Sequence, residues 1–265
     1  MSQKVKNMLK GADKKTLTVY LILRFLVIIT LIAQILHQNW HDVFLCILTL
    51  ILFIIPFVVD KKFKIDLPTP LEIIILLFIF SAEILGEIQN FYGIFKHWDT
   101  ILHTLNGFLS AAIGFSLIDI LNRSERVHIH LTPIFVALVA FCFSMTIGVL
   151  WEFFEFGGDQ LLKMDMQKDR IVETISTVEL NPEGKNVPVI IKDIDHTTIS
   201  YQENRRTKEI TVEGGYLDIG IIDTMKDLLV NFVGAVIFSI IGYLYIHNRD
   251  KYKIAESFIP VLKEE

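Results

Sequence analysis

Cysteine is nearly absent from this chain, with two in 265 residues, at positions 46 and 142. Both fall inside long apolar runs, which excludes a disulfide framework and a thiolate metal site and leaves a buried structural thiol as the expectation for each. Cations are missing from alternate short loops, where only Lys96 is found. The first apolar run is too long for a cleaved signal and lacks the small residues that would follow one, so it is read as a retained span. No internal inverted repeat is apparent, which argues against a common transporter plan. A nucleic-acid-binding patch is excluded as well, because the lysines and arginines flank apolar runs instead of gathering on one face.

What the chain does have is apolar length. Hydrophobic residues make up 52% of it, and the mean hydropathy is +0.49. These residues come in blocks of about 20, the length that crosses a hydrocarbon core of about 30 Å. Six spans are expected, near 18–36, 42–59, 71–88, 101–120, 131–153 and 228–246. The fold class is therefore an all-α polytopic membrane protein, with membrane lipid as its first partner. Around these spans the chain divides into a basic arm at 1–17, spans one to five within 18–159, a polar insert at 160–222, the sixth helix at 223–247 and a tail at 248–265.

Charge sorts by segment. Lys4, Lys6, Lys10, Lys14 and Lys15 precede span one, Lys61, Lys62 and Lys64 follow span two, Arg123 and Arg126 follow span four, and Arg249, Lys251 and Lys253 follow span six. The positive-inside rule then puts both termini in the cytoplasm of a multi-pass protein in the cell membrane. Arg24, two turns into span one, is expected to snorkel back to that surface. His128-x-His130 sits in a cytoplasmic loop and is read as solvated.

The insert at 160–222 differs in kind. β-branched runs at 171–178, 187–194, 197–201 and 209–212 are punctuated by turns at 181–184, 203–204 and 213–215. This pattern predicts a small antiparallel β module outside the membrane. It is too small for a generous core of its own, and a protein partner is one use for it.

The acids concentrate at one level. Trp151-Glu152-Phe153-Phe154-Glu155 runs on to Asp159, and carboxylates three and four residues apart share a helix face. Asp99 and His103 are i and i+4, with Asn106 and Gly107 continuing inward. Asp223, Asp227, Asn231 and Gly234 form a further stripe, and Gly148 leaves room for a neighbouring helix. The topology puts all of these at the extracytoplasmic face. Taken singly, Asp99 and Asp223 also suit helix N-caps, and Glu83 with Glu87 suits either a surfacing helix end or a functional pair. Together, carboxylates and one imidazole suit Mg²⁺, Mn²⁺ or Ca²⁺. Asp99, Glu152, Asp223 and Asp227 are the candidate ligands, His103 a base or supporting ligand, and Glu155 the residue that orients a water. Asp159, Asn231 and Asn106 support them.

Trp98-Asp99-x-x-x-His103 with Gly107, Trp151-Glu152-x-x-Glu155, Asp159-Gln160, Met166-Gln167, Asp223-Thr224-x-x-Asp227 and Gly234-Ala235 resemble the YjdF-like family of uncharacterised bacterial and archaeal membrane proteins. The resemblance covers roughly residues 70–167 and 220–246. The Asp-x-x-x-His and Asp-x-x-x-Asp-x-x-x-Asn-x-x-Gly patterns look more loosely like those of VanZ-like proteins of the cell envelope. Two features depart from these patterns: a longer insert between Gln167 and Asp223, and Glu155 where the VanZ-like pattern commonly has Gln. The resemblance implies fold and site position. The leading expectation is metal-assisted hydrolysis or transfer on an envelope lipid or lipid-linked phosphate. A cation- or proton-coupled transporter and a structural, partner-binding membrane protein are the alternatives.

Overall fold

The computed structural model describes residues 14–58, 65–123, 131–248, 251, 258–259 and 261–262. Most of the basic arm, the lysines at 61, 62 and 64, Arg126, the His128-x-His130 pair and most of the tail lie outside the described residues. The chain is mostly helical, with a small strand-containing segment toward its C-terminal end.

Helix α1 spans Lys14–Leu36 and α2 Trp40–Leu52, the latter opened by Asn39, whose side chain accepts from the Asp42 amide. Strand β1 (Ile65–Asp66) precedes α3 (Thr69–Phe80), where Pro70 occupies the first turn. A proline there is tolerated because its missing N–H has no intrahelical partner anyway. Helix α4 is the short Phe91–Ile94, α5 runs Trp98–Arg123, α6 Pro133–Gly157 and α7 Ile221–His247.

Among the described residues, five helices are long and apolar enough to cross a membrane: Lys14–Leu36, Trp40–Val58, Trp98–Asp119, Pro133–Leu162 and Ile221–His247. Only 11% of the apolar window of α1 is buried within the protein. An apolar surface of that extent is stable in lipid and not in water. The remaining expected span, 71–88, is helical throughout but changes type within its length. The 12-residue α3 passes directly into an eight-residue π-helical stretch, Ser81–Ile88.

By internal contacts the chain forms two compact units, Met1–Trp151 with Asp227–Glu265, and Glu152–Lys226. In the first, Val27, Cys46, Phe53, Leu71 and Leu76 form one buried cluster, and Phe115, Val136, Ala140, Ala235 and Phe238 form another. Cys46 is buried as expected, whereas Cys142, expected buried, is exposed on the outward side of α6. Arg24 donates to the hydroxyl of Tyr20, one turn nearer the helix N-terminus, which is the direction snorkelling requires. Strand β8 (Val261–Leu262) returns to pair antiparallel with β1, Ile65 opposite Leu262 and Asp66 opposite Val261.

The second unit carries six strands in three antiparallel ribbons: β2 (Ile171–Val172) with β7 (Tyr216–Leu217), β3 (Ile175–Thr177) with β4 (Val189–Ile191), and β5 (His196–Glu203) with β6 (Arg206–Glu213). The β5–β6 turn has Asn204 at φ 52° and Arg205 at φ 63°. Two successive left-handed residues match the right-handed twist of a two-residue hairpin. Among the described residues, no hydrophobic side chain between 160 and 222 is fully buried. Hydrogen bonds, not a core, organise this unit.

Candidate metal centre

Asp99 lies in the first turn of α5, and His103 follows one turn later on the same face. Asp227 enters from α7. His103 Nε2 stands 3.4 Å from Asp99 Oδ1 and 3.6 Å from Asp227 Oδ2. One ligand atom from each of the three residues lies within 4.8 Å of the others. Two ligand atoms about 2.1 Å from one Mg²⁺-sized ion are at most about 4.2 Å apart, so both imidazole distances fit a shared ion. The three side chains retain only 20, 12 and 3% of their surface in chain order. Two carboxylates and one imidazole suit Mg²⁺ or Mn²⁺ better than a thiophilic metal.

The helices come this close because their contact is built from glycine and asparagine. A side-chain carbon on Gly107 would collide with the backbone carbonyl of Asn231, and one on Gly234 with that of Thr104. Ser144 of α6 donates to the Gly107 carbonyl at 2.7 Å. Asn106 donates to Asn231 Oδ1 at 3.0 Å, and Gly148 of α6 leaves the space filled by the Asn231 amide, 2.7 Å from where a Cβ would sit. Asn231 is 1% exposed and stands where α5, α6 and α7 meet. Capping does not explain so deep an amide. Joining three backbones does.

His103 and Asn106 also line a cavity of about 350 Å³ bounded by residues from α2 to α6. Glu83 lines it too, and at 3% exposure is among the most buried acids of the chain. The spacing of Glu83 and Glu87 left a surfacing helix end open as an explanation. Glu83 instead points inward, from the π-helical stretch whose first carbonyl, on Ser81, accepts from Trp98 Nε1 at 3.2 Å. Nothing in residue spacing announces that change of helical type. Tyr92 reaches the same cavity because Gly86 has no side chain to displace its ring.

The other expected site residues belong to the second unit. Glu152 is buried on α6 and Glu155 half-buried beyond it. The acidic stripe does not continue regularly to Asp159, because α6 passes into a π-helical turn at Gly158–Leu162. Asp159 there accepts from the amides of Met166 (2.6 Å) and Gln167 (3.0 Å). Asp223 accepts from the Lys168 amide at 3.0 Å and from Arg170 Nη2 at 3.1 Å. Gln167 Nε2 donates to Thr224 Oγ1 at 2.5 Å. The cap of α7 is not Asp223 but Asp218, whose Oδ2 accepts from Ile222 N at 2.9 Å. Ile219 and Gly220, both at positive φ, turn the chain so that it reaches. Asp218 also accepts from the Arg170 and Gly220 amides. Burial pushes its carboxyl upward, but the three backbone donors and the Arg170 charge outweigh this and hold it below the usual range.

The motif residues thus divide by task. Asp99, His103, Gly107, Asp227 and Gly234 assemble the α5–α7 crossing and its candidate metal site. Asp159, Met166, Gln167, Asp223 and Thr224 fasten the base of the strand-bearing unit. One run of sequence, Asp223 to Asp227, serves both.

Residues 18–248 match the model of a family described as "Predicted membrane protein (DUF2238)". An uncharacterized protein of Thermotoga maritima is 29% identical over 107 residues, which is 40% of this chain and 53% of that protein. The match thus spans about half the length of that relative. No solved structure matches.

Proposed function

For a chain that belongs to the DUF2238 family of predicted membrane proteins, we propose a six-crossing envelope protein that holds a divalent cation at Asp99, His103 and Asp227. The cation serves hydrolysis of a lipid-linked phosphate. The observation that carries this is the single geometry in which His103 lies between two carboxylates and also lines an apolar cavity. A polar catalytic group opening onto apolar walls suits a substrate with a charged head and a hydrocarbon tail. The likeness to YjdF-like proteins agrees with the family. The looser VanZ-like likeness contributes only the envelope-lipid class.

The ion would offset phosphate charge and activate water. Asp99 and Asp227 would hold it. His103 Nε2, directed at both carboxylates, would accept the proton of the attacking water or complete the ligand set. The Asn106–Asn231 bond and the glycine contacts fix α5 against α7, so the donors need little rearrangement as the ion arrives. The lysine distribution supports placing the centre at the extracytoplasmic face with both termini cytoplasmic, and 69–88 supplies the sixth crossing.

Melting of the detergent-purified full chain with and without Mn²⁺ or Mg²⁺ tests this. An ion at about 100 times its dissociation constant adds about 2.7 kcal/mol, or about 5–10 °C for a chain of this size. The shift should vanish in Asp227→Asn and His103→Ala, and phosphate release from a polyprenyl phosphate should vanish with it. A wild type that no divalent ion shifts leaves the triad a structural bridge and removes the metalloenzyme proposal.

A further inference from the structure

The cavity beside the candidate metal centre has its own chemistry. Its walls are apolar, with Ile75, Phe78 and Ile79 from α3 facing Leu109, Phe143 and Ile147 from α5 and α6. Its volume of about 350 Å³ falls in the usual range for small-molecule sites, about 300–1,000 Å³. Into these walls projects Glu83, 3% exposed. Its carboxyl lines the cavity together with His103 and Asn106, amid otherwise mostly apolar side chains. A carboxyl buried against apolar walls is costly to fold around and is met where a ligand can offer it a hydrogen bond. The π-helical stretch, anchored by Trp98 on the Ser81 carbonyl, is what turns Glu83 inward; such stretches recur at functional sites.

We propose that this cavity binds a long-chain alcohol, its hydrocarbon among the apolar walls and its hydroxyl donating to Glu83. The inference rests on the proposed hydrolysis for the lipid class. When water's oxygen bonds to phosphorus and the bond from phosphorus to the lipid oxygen breaks, that oxygen takes a proton and leaves as an alcohol. The cavity that shares His103 with the metal centre is where this product, and the matching part of the substrate, resides. Glu83 is then a binding residue for the lipid oxygen, separate from the ligands of the ion.

Photolabelling of the full chain in phosphatidylcholine nanodiscs, with EDTA present throughout, tests it apart from the metal. The probes are a diazirine-bearing hexadecanol and the corresponding hexadecane. The alcohol should label peptides containing Ile75–Ile79 and Phe143–Ile147 about tenfold more than the alkane, the factor for one buried hydrogen bond. Glu83→Leu should reduce the alcohol to the alkane level. Glu83→Gln keeps a carbonyl acceptor and should retain most of the advantage. Ile79→Trp fills the cavity and should abolish labelling by both. Equal labelling of the wild type by the two probes, or an undiminished advantage in Glu83→Leu, overturns the proposal. Should Glu83→Leu fail to fold, Glu83→Gln and Ile79→Trp decide. Selective labelling without a Mn²⁺ melting shift removes only the metal centre, and a shift without selective labelling removes only the alcohol site.

Discussion

Substituting Gly107 by Ala tests whether the α5–α7 crossing is what builds the site. The added methyl would fall on the Asn231 carbonyl oxygen, and backbone cannot swing aside as a side chain can. The two helices must therefore part. Overpacking of this kind costs about 1–3 kcal/mol. In a chain of this size each kcal/mol lowers Tm by about 2–4 °C, so a fall of about 2–12 °C is expected. Parting also lengthens the His103–Asp227 approach from 3.6 Å and the Asn106–Asn231 bond from 3.0 Å. Any Mn²⁺-dependent gain in Tm should accordingly shrink along with the basal Tm. Gly157→Ala is the control: nothing lies within 4 Å of its added methyl, and alanine is the better helix former by about 1 kcal/mol. It should melt at or slightly above wild type. Tryptophan fluorescence against temperature, with size exclusion to confirm monodispersity, reads both. A Gly107→Ala protein that melts with the wild type, its ion response intact, would refute the close-packed crossing.

Asp159→Ala removes the acceptor for two amides and should cost about 1–3 kcal/mol; hydrogen exchange should rise at 163–167 and stay unchanged at 103–110. Asp218 has a folded pKa below its unfolded value, so its contribution is present above the unfolded pKa of about 3.9 and is lost as pH falls through the folded one. The wild type should therefore resist proteolysis around 168–172 better than Asp218→Asn at pH 6, and the difference should close as pH falls through the folded pKa. A gap that persists there would mean that the side-chain geometry of Asp218, not its charge, holds the loop.

Much of the fold is legible in residue order because membrane spans are written in unbroken apolar runs. The helices that carry the site could be placed from composition alone. The strand-bearing unit was legible too, from β-branched runs and from Asn204, whose left-handed backbone a hairpin needs. Legibility failed where local pattern does not determine the partner. Asp159, Asp223 and Asp227 read alike as intramembrane or boundary acids, yet two bind loop amides and the third faces an imidazole. The distinction lies in residues 166–170, which have no periodicity to announce it. Asn106 and Asn231 are 125 positions apart, and only the packing of α5 on α7 joins them. The inward turn of Glu83 depends on extra backbone per helical turn, which no hydrophobic period encodes.

The two-rung ladder between β1 and β8 bears on how the chain threads a bilayer. Hydrogen-bonded strands share one side of a bilayer, so in the proposed arrangement the crossings between residues 66 and 261 would be even in number. Three of the long apolar helices, α5, α6 and α7, lie in that interval. Parity then asks for a fourth, and the continuous helix at 69–88 is the segment available to supply it. Four residues of backbone pairing thus support the proposed six crossings without recourse to a single lysine.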